Sequence, residues 1–399
     1  MLPGGRTAHS RFHIPLAVTD TSICNIARGT HLAELIKQTS LIIWDEVPMQ
    51  HKYCFEAVNR TLNDICEIAD SAGYFGNIPI ILGGDFAQIL PVVPRGNRAA
   101  TVTASLQNSH LWSQFQVLSL TTNMRVQTGE QNLIFATWLG RISYDATMYG
   151  MLQIPNYIKT VTTVIDLIQF VYPMAIMNNA AQNYSLFSNC CILAFRNDTV
   201  PEFNNAILQQ LPGQLETIFA IDSPDVNQQN TGFAELPVEY LQSFNPPGLP
   251  PSKLQLKVGC PVMLLRNLCP TKGLCNGTRM SILSIGQKCL KVQILEEEFD
   301  GNISLLPRIS LSTTETELPF VLTRKQFPIK LSFAMSVNKS QGQTLSIVGL
   351  DLQYSAFTNG QLYVALSRVT DVKNLPVLHK GHPNQACTEN IVYPEVLIR

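Results

Sequence analysis

The chain has 399 residues, of which 45% are hydrophobic and 14% are charged, and its formal net charge is −1. This length predicts two or three domains with substantial cores, and the low content of charged residues excludes a largely disordered chain. A net charge near zero means that any binding of nucleic acid must come from a local groove. The ten cysteines form no CxxC pair or metal-ligand spacing, and no apolar run approaches the ~20 residues of a membrane helix. We therefore expect a reduced, intracellular protein without a membrane span.

The chain opens with a short polar segment, MLPGGRTAHSRFHIP, which contains Thr7, His9 and Ser10 between turn-forming glycines and a proline. Its hydroxyl groups could contact a phosphate backbone. On these residues alone, an ordinary loop is the simpler interpretation. A short helix is predicted to follow over 31–38.

The central feature is LIIWDEVPM, residues 41–49. Its apolar run has no alternation and predicts a strand buried on both faces, as in a parallel sheet covered by helices. Asp45 and Glu46 follow at the carboxyl end of this strand, where α/β sheets bind ligands. In P-loop NTPases an Asp at this position holds Mg²⁺, and a neighbouring Glu can act on the attacking water. A solvated loop that begins at Asp45 is the alternative for this motif by itself.

Two further stretches repeat this arrangement. After an amphipathic helix predicted over 52–70, the unalternating run 78–82 predicts a second buried strand, followed by glycines, an aspartate and Gln88. A glutamine there can hydrogen-bond a phosphate or a water. A third strand is predicted over 116–125 and ends at Arg125, a residue type that stabilises charge in phosphoryl transfer, although a surface salt bridge is the simpler explanation for one arginine. Three strands that end in polar residues indicate one nucleotide-facing sheet edge.

The second half begins with CCILAFRND, 190–198, which predicts another buried strand. Residues 223–252 show almost no periodicity and are predicted as a long loop. Residues 254–327 are predicted as a set of short antiparallel strands, because Asn276-Gly277 and Asp300-Gly301 are hairpin turns. Hairpins of this kind cannot belong to a parallel sheet.

A strand predicted over 329–337 leads into a polar segment, and a buried strand VGLDL follows it. The polar residues are Lys339, Ser340, Gln341, Gly342, Gln343 and Thr344. The lysine and the two hydroxyl groups can bind strand phosphates, the glutamines can bridge a strand and a nucleotide, and the glycine permits close approach. In isolation the hexapeptide could be a polar turn. Further on, QLYVALSR predicts a helix with Gln361, Tyr363 and Arg368, the first and last of which share one side.

The segments LIIWDEVPM, GGDFAQILPVVP, LTTNMR, KSQGQT and QLYVALSR resemble, in order and spacing, the Pif-type (petite integration frequency) DNA helicases of superfamily 1, most closely the helicase part of Helitron transposons. Five ordered motifs are far more specific than any one of them. The resemblance implies an α/β fold with two RecA-like P-loop NTPase-type motor domains and a small β-barrel insert in the second. It places the first domain at 1–180, the second at 181–253 and 328–399, and the insert at 254–327.

The resemblance also implies a function, an ATP-dependent 5′-to-3′ DNA helicase that hydrolyses ATP. The implied processes are DNA repair, recombination, telomere maintenance or Helitron transposition in the nucleus. The implied partners are single-stranded and forked DNA, the cofactors are ATP and Mg²⁺, and ATP would lie between the two motor domains. The oligomeric state is left open.

The same resemblance assigns roles to individual residues. The implied catalytic residues are Asp45, Glu46, Gln88, Arg125 and Arg368, where Asp45 is the Mg²⁺ ligand and Arg368 an arginine finger. The implied nucleotide-binding residues are Asp45, Gln88, Gln341 and Gly342. The implied DNA-binding residues are Thr7, His9, Ser10, Lys339, Ser340, Gln343, Thr344 and Tyr363.

One motif is absent, because the 399 residues contain no GxxxxGK[ST]. That loop supplies the backbone amides and the lysine that cradle the phosphates of ATP. In the family it lies upstream of the segment that opens this chain, so the resemblance predicts a truncated first domain and impaired hydrolysis. The main alternative is a catalytically dead remnant that binds single-stranded DNA, although the intact downstream chemical residues favour a fragment of an active enzyme. A non-helicase P-loop ATPase explains neither KSQGQT nor the β-rich insert.

Overall fold

The structure, a computed structural model, describes residues 5–69, 73–225, 236–295, 299–313, 320–381 and 386–398. The α-helices are α1 (Ala8–Phe12), α2 (His31–Lys37), α3 (Lys52–Ile65), α4 (Arg98–Ala104), α5 (Glu130–Tyr144), α6 (Val164–Val171), α7 (Met174–Asn178), α8 (Thr199–Gln210), α9 (Val238–Ser243) and α10 (Gln361–Leu366). The strands are β1 (Ile42–Trp44), β2 (Ile80–Leu82), β3 (Gly150–Gln153), β4 (Thr160–Val161), β5 (Cys190–Ala194), β6 (Glu216–Phe219), β7 (Ile221–Asp225), β8 (Lys253–Leu256), β9 (Pro261–Leu264), β10 (Arg279–Ile285), β11 (Cys289–Ile294), β12 (Ile303–Pro307), β13 (Ile309–Ser312), β14 (Val321–Gln326), β15 (Ile329–Leu331), β16 (Ala334–Ser336), β17 (Ile347–Asp351), β18 (Val377–Leu378) and β19 (Cys387–Asn390). No helix within these described ranges is long and apolar enough to cross a bilayer.

The chain forms two compact units. The first comprises Met1–Ile154, Ser355–Ser367 and Cys387–Arg399, and the second comprises Pro155–Tyr354 and Arg368–Ala386. The predicted domains instead change over at residue 180 and assign the whole C-terminal segment to the second domain. The compact units therefore differ from the predicted domains in two ways. The first unit ends its main segment at Ile154, and it also includes Ser355–Ser367 and Cys387–Arg399.

The first unit contains a short parallel pair of strands and a helix that covers one face of the pair. β1 and β2 are parallel, with Ile43 opposite Ile81. Trp44 at the end of β1 stacks on Phe55 of α3 with ring centroids 4.4 Å apart, and both side chains lie in the core of this unit. The apolar spacing correctly predicts α3, which ends at Ile65, five residues before the predicted end.

The other face of this strand pair is open, so the prediction of strands buried on both faces is wrong here. Ile43 and Ile81 are 52% and 54% exposed. The third strand, predicted over 116–125, is not formed, and Leu118 and Leu120 within it are exposed. An apolar run becomes a strand only where a neighbouring strand accepts its hydrogen bonds, and no described segment of this unit pairs with 116–125.

The C-terminal segment completes the first unit. β19 pairs antiparallel with β3. The side chain of Asn390 is buried, and its amide donates to the carbonyl oxygens of Ile142 and Met148 at 2.6 and 2.9 Å. Arg98 of α4 forms an exposed salt bridge with Glu395 at 2.8 Å. These contacts fasten the last residues of the chain to α4 and α5.

The second unit contains a parallel sheet with the order β16-β5-β17-β18-β4. Every residue of β5 is buried, which confirms the strand predicted from the continuous apolar run. The buried strand predicted at VGLDL is also confirmed, as β17. The segment predicted as one strand over 329–337 divides into β15 and β16, of which β16 belongs to this sheet. Asn204 of α8 exchanges two hydrogen bonds with the backbone of Ala334 in β16, at 2.9 and 3.1 Å.

The second unit also contains an antiparallel sheet with the order β12-β11-β10-β9-β15. β9 pairs antiparallel with β10, and β11 with β12, which confirms the antiparallel character of this region. The connections span 265–278 and 295–302, so the prediction of two-residue hairpin turns at 276–277 and 300–301 is wrong in length. Leu290, Val292 and Ile294 of β11 alternate as predicted and are fully buried. Closure of these strands into a barrel stays a prediction.

A smaller sheet, β13-β14-β7, carries a buried ion pair. Arg324 and Asp222 are both fully buried, and two guanidinium nitrogens donate to the two carboxylate oxygens at 2.8 Å. The long loop predicted over 223–252 is wrong in part, because β7 extends to residue 225 and α9 forms within it. Residues 226–235 lie outside the described residues.

Candidate nucleotide and nucleic-acid site

The carboxyl ends of β1 and β2 bring two of the predicted nucleotide-facing segments together. The backbone N–H of Gly83 donates to the carbonyl oxygen of Trp44 at 2.8 Å, and the N–H of Val47 donates to that of Gly83 at 3.0 Å. A Cβ on Gly83 would lie 2.7 Å from Oδ1 of Asp45. A side chain at position 83 would therefore displace the carboxylate of Asp45 from this position.

Asp45 and Glu46 form the acidic part of this edge. The Asp45 side chain is exposed, and its Oδ1 accepts a hydrogen bond from the N–H of Glu46 at 2.9 Å. Glu46 is half-buried and adopts φ 54° and ψ 39°, in the left-handed region. A non-glycine residue there stores strain of about 1 kcal/mol, and such strain concentrates at functional sites. The left-handed backbone of Glu46 therefore marks this position as a candidate for function.

An exposed carboxylate of this kind suits Mg²⁺, which usually takes one or two protein carboxylates together with phosphate oxygens and waters. Within the residues that the structure describes, no group of three or more His, Cys, Asp or Glu side chains converges as a metal cage. The residues present therefore fit a cation that is held jointly with a nucleotide, with Asp45 as the protein ligand.

Gln88 lies on a turn that Asp85 stabilises. Oδ1 of Asp85 accepts a hydrogen bond from the N–H of Ala87 at 2.9 Å, and its carbonyl oxygen accepts one from the N–H of Gln88 at 3.0 Å. Oε1 of Gln88 is buried and accepts no hydrogen bond from the described residues. A buried amide oxygen without a donor costs stability, so this atom is ready to accept a hydrogen bond from a water or a ligand.

Asn359 is a residue that the sequence reasoning missed. It is 1% exposed, its Nδ2 donates to the carbonyl oxygen of Gln88 at 3.0 Å, and its Oδ1 accepts from the N–H of Tyr393 at 2.6 Å. The next residue, Gly360, has φ 71°, and a Cβ there would lie 2.3 Å from the carbonyl oxygen of Ala87. The Asn-Gly pair signals a turn in the sequence, but it cannot show which distant segment the turn contacts.

Arg125 and Tyr363 also belong to the first unit. Nη1 of Arg125 donates to the carbonyl oxygen of Ser367 at 3.2 Å, and Tyr363 packs half-buried in a small apolar cluster. The N–H of Ser367 donates to the carbonyl oxygen of Tyr363, and α10 ends there. The prediction that one helix carries both Gln361 and Arg368 is therefore wrong at its C-terminal end.

The segment at residues 7–10 is a helix start, where a loop had been the simpler prediction. Oγ1 of Thr7 caps α1 by accepting a hydrogen bond from the N–H of Ser10 at 3.4 Å. Nδ1 of His9 lies 3.4 Å from Nε2 of Gln50, and burial lowers the pKa of His9, so its imidazole is neutral at pH 7. Of the three predicted DNA-binding residues here, Thr7 and Ser10 are exposed and His9 is half-buried.

In the second unit, residues 339–344 form what we call the KSQGQT loop. The N–H of Gln343 donates to the carbonyl oxygen of Ser340 at 3.0 Å, and Gly342 has φ 77°, which favours glycine. Gly342 and Thr344 are exposed. Ser340 is fully buried and its Oγ donates to the carbonyl oxygen of Val337 at 2.8 Å. The structure therefore contradicts a direct contact of Ser340 with DNA, because its hydroxyl is used to close the turn inside the protein.

Arg368 supports this loop from inside the second unit. It is 1% exposed, and its Nη1 donates to the carbonyl oxygen of Gln343 at 3.1 Å and lies 3.5 Å from that of Ser340. The N–H of Leu345, just after the loop, donates to the carbonyl oxygen of Arg368 at 2.9 Å. An arginine finger needs an accessible guanidinium, so the structure does not support that predicted role. The end of α10 redirects the chain at this point and brings the side chain under the loop.

The remaining loop side chains are partly covered. Lys339 is an exposed residue, but its Nζ lies 4.0 Å from Sδ of Met263, and the partial desolvation of the amine there lowers its pKa. Oε1 of Gln343 is buried and accepts no hydrogen bond from the described residues. Gln341 is half-buried at the end of the 3-10 turn Val337–Ser340. The loop thus offers polar atoms and one amine at a surface that Arg368 supports.

Comparisons with known proteins give a consistent result. A family model described as PIF1-like helicase matches residues 1–145, and one described as DNA helicase Pif1, 2B domain, matches residues 239–285. The ATP-dependent DNA helicase PIF1 of Xenopus laevis is 28% identical over 392 residues, which cover 94% of this chain and 52% of that protein. The chain thus spans about half the length of this curated relative.

Solved structures show the same likeness. The crystal structure of Bacteroides Pif1 bound to ssDNA has a TM-score of 0.65 at 19% identity and covers 99% of this chain and 81% of that chain. A structure described as showing DNA unwinding at forked dsDNA by two coordinating Pif1 helicases has a TM-score of 0.64 at 21% identity and covers 95% and 79%. At these identities the likeness shows the fold, and it confirms the predicted class, an α/β chain with two RecA-like domains. The predicted barrel insert and the truncation stay predictions.

Proposed function

We propose that this chain is a Pif1-like helicase, because family models and relatives of that description match it, and that its residues couple ATP hydrolysis to the unwinding of DNA in the 5′-to-3′ direction. The Xenopus relative is described as an ATP-dependent DNA helicase, and the two structural neighbours as bound to ssDNA and acting at forked dsDNA. We extend that substrate class, single-stranded and forked DNA, to this chain. We also propose a nuclear location and a part in DNA repair, recombination, telomere maintenance or Helitron transposition.

The observation that carries this proposal is the meeting of Asp45, Glu46 and the Gly83–Gln88 segment at the carboxyl ends of two parallel strands. Open α/β sheets bind nucleotides at such an edge. Asp45 presents an exposed carboxylate for Mg²⁺, and Gln88 presents a buried oxygen that lacks a donor among the described residues. When bound, Mg²⁺ would neutralise charge that develops on the phosphate oxygens of ATP.

Within this site we assign different tasks to the two side chains beside Asp45. Glu46 is half-buried and held in a strained backbone conformation, which suits a general base that removes a proton from the attacking water. Gln88 would orient the same water through its Oε1. Arg125 would stabilise negative charge on the nucleotide, and its contact with the carbonyl oxygen of Ser367 holds the guanidinium in place.

In the second unit we propose that the KSQGQT loop binds the strand. Lys339 and Thr344 would contact phosphates, Gln341, Gly342 and Gln343 would approach the nucleotide or the strand, and Arg368 would act as the residue that positions the loop. Thr7, His9, Ser10 and Tyr363 of the first unit keep their proposed roles as DNA contacts.

The experiment is the substitution Glu46→Gln in a chain to which a GxxxxGK[ST] phosphate loop has been added. We expect DNA-stimulated ATP turnover to fall at least a hundredfold, while ATP binding stays within about twofold, because the base acts on water and not on the nucleotide. The matched control is Glu130→Gln, an exposed carboxylate at the start of α5. If Glu46→Gln retains turnover, Glu46 is not the base.

A second candidate function is the binding of single-stranded DNA without ATP turnover. The observation in its favour is that the 399 residues contain no GxxxxGK[ST], the loop that anchors the phosphates of ATP. We therefore propose that these residues alone hydrolyse ATP weakly. The two candidates are separated by whether an added phosphate loop produces DNA-stimulated turnover.

A further inference from the structure

Three basic side chains surround one buried methionine on the antiparallel sheet of the second unit. In the strand order β10-β9-β15, Met263 is directly opposite Arg279 on one neighbour and Lys330 on the other. Directly opposite residues of antiparallel strands project to the same face. Lys339 reaches this face from the KSQGQT loop, with its Nζ 4.0 Å from Sδ of Met263. The three basic residues therefore lie beside one methionine, although they are far apart in sequence.

Only the arginine of this cluster has its charge compensated by many protein contacts. Arg279 is 3% exposed, and its guanidinium donates to the carbonyl oxygens of Phe187, Ser188 and Cys190 at 2.9 to 3.0 Å. Neither Lys330 nor Lys339 forms a salt bridge with an Asp or Glu in the described part of the chain. The half-buried Lys330 and the exposed Lys339 thus lie near each other, and neither has an acidic side chain paired to it among the described residues.

The electrostatics of the two amines indicate that a counter-ion is needed. Burial and, to a smaller extent, the charge of Lys339 together lower the pKa of Lys330 to about 8, and burial also lowers the pKa of Lys339. Lysine amines are normally left in water unless they are paired, because their desolvation is costly. A bound anion would stabilise the charged form of both amines and offset this cost.

We propose that Lys330 and Lys339 together hold one phosphate group of the single strand that crosses the KSQGQT loop. This inference rests on the proposed function, which assigns strand binding to that loop, and it adds β15 of the antiparallel sheet to the binding surface. Lys330 donates from the sheet and Lys339 from the loop, so the phosphate bridges the two elements. The phosphates of a free nucleotide share this chemistry, and the experiment below separates the two sources.

The experiment measures the affinity of the chain for a fluorescent oligo-dT at several salt concentrations by anisotropy. We expect Lys330→Met to weaken binding about three- to tenfold at low salt, because one charge-assisted contact is lost. The slope of log K against log salt should fall in magnitude by about 0.7, the value for one contact to a single strand. Lys330→Arg should keep the slope, and Lys291→Met, an exposed lysine of β11 in the same sheet, should match the unmodified chain.

A pH series adds a readout that a purely structural role would not change. A free amine with a pKa of about 8 is mostly protonated at pH 7 and mostly neutral at pH 9. The affinity of the unmodified chain should therefore fall by up to about tenfold over this range. Lys330→Arg should remove most of this dependence because arginine stays charged, and the part due to Lys339 should remain.

Three results would overturn the inference. If the unmodified chain binds oligo-dT and Lys330→Met has the same affinity and salt slope, Lys330 is not a phosphate ligand, while the proposed function stands. If ATP without Mg²⁺ displaces oligo-dT from the unmodified chain and binds more weakly to Lys330→Met, the phosphate belongs to a nucleotide. If the unmodified chain does not bind oligo-dT at any salt concentration, the proposed function fails together with the inference.

Discussion

Lys330 gives the clearest prediction on stability, because its substitution should strengthen the fold while it weakens DNA binding. The amine has a pKa of about 8 in the folded protein, compared with 10.5 for an ordinary lysine. The unfolded chain therefore binds more protons between pH 8 and 10.5, and stability should rise with pH in that window. A difference of this size corresponds to about 1–3 kcal/mol at pH 7 once screening of the partly exposed amine is discounted. Met has a similar length and no charge, so Lys330→Met should raise the free energy of unfolding at pH 7 by that amount.

The assay is urea unfolding of the unmodified chain and of Lys330→Met at pH 7 and at pH 10.5. The gain from the substitution should be present at pH 7 and should largely disappear towards pH 10.5, where the amine is neutral in the folded protein and about half protonated in the unfolded chain. Lys291→Met serves as the control, since this exposed side chain should show a change within about 0.5 kcal/mol at both pH values. A Lys330→Met protein that is less stable at pH 7, or whose difference does not vary with pH, would refute the reasoning about this amine.

Three other substitutions test separate parts of the structure. Arg368→Ala should weaken oligo-dT binding about tenfold and speed amide hydrogen exchange at Gln343, because the KSQGQT loop loses the hydrogen bond from this arginine. Unchanged affinity would contradict the positioning role. Glu46→Gly should raise the free energy of unfolding by about 0.5–1 kcal/mol in urea titrations, because glycine adopts the left-handed conformation of residue 46 without strain. The same substitution should abolish ATP turnover in a chain with an added phosphate loop. Asp222→Asn should lower the free energy of unfolding by about 3–5 kcal/mol, since it leaves the fully buried Arg324 without its carboxylate partner. A loss below 1 kcal/mol would show that the backbone carbonyls alone compensate the charge of Arg324.

Strands of the second unit could be predicted because the pattern of apolar residues in each strand indicates which of its faces are buried. The continuous apolar run of β5 requires cover on both faces, and the alternation of Leu290 and Val292 requires one buried face. The segment 116–125 is also predicted as a strand, yet it forms none. Its outcome depends on whether a neighbouring strand is present to pair with it, and the local sequence does not contain that information.

The site shows the same division between local and distant information. Residue types and order sufficed to single out Asp45, Glu46 and Gln88, because chemistry at a strand end needs those side chains at that place. The burial of Arg368 could not be foreseen, since it depends on how the chain turns after α10 and on contacts with residues more than 20 positions away. The basic cluster at Lys330 depends on the register of three strands, which periodicity alone does not give.

The most direct test of the account is the rate of ATP hydrolysis with and without single-stranded DNA, measured for these 399 residues and for the same residues joined to a GxxxxGK[ST] phosphate loop from a Pif1 relative. The account predicts little hydrolysis by the 399 residues alone, and hydrolysis that single-stranded DNA stimulates when the phosphate loop is present. A joined chain that folds and binds ATP, but whose hydrolysis DNA does not stimulate, would contradict it. In that case salt-dependent binding of DNA by both chains would identify a strand-binding protein without ATP turnover.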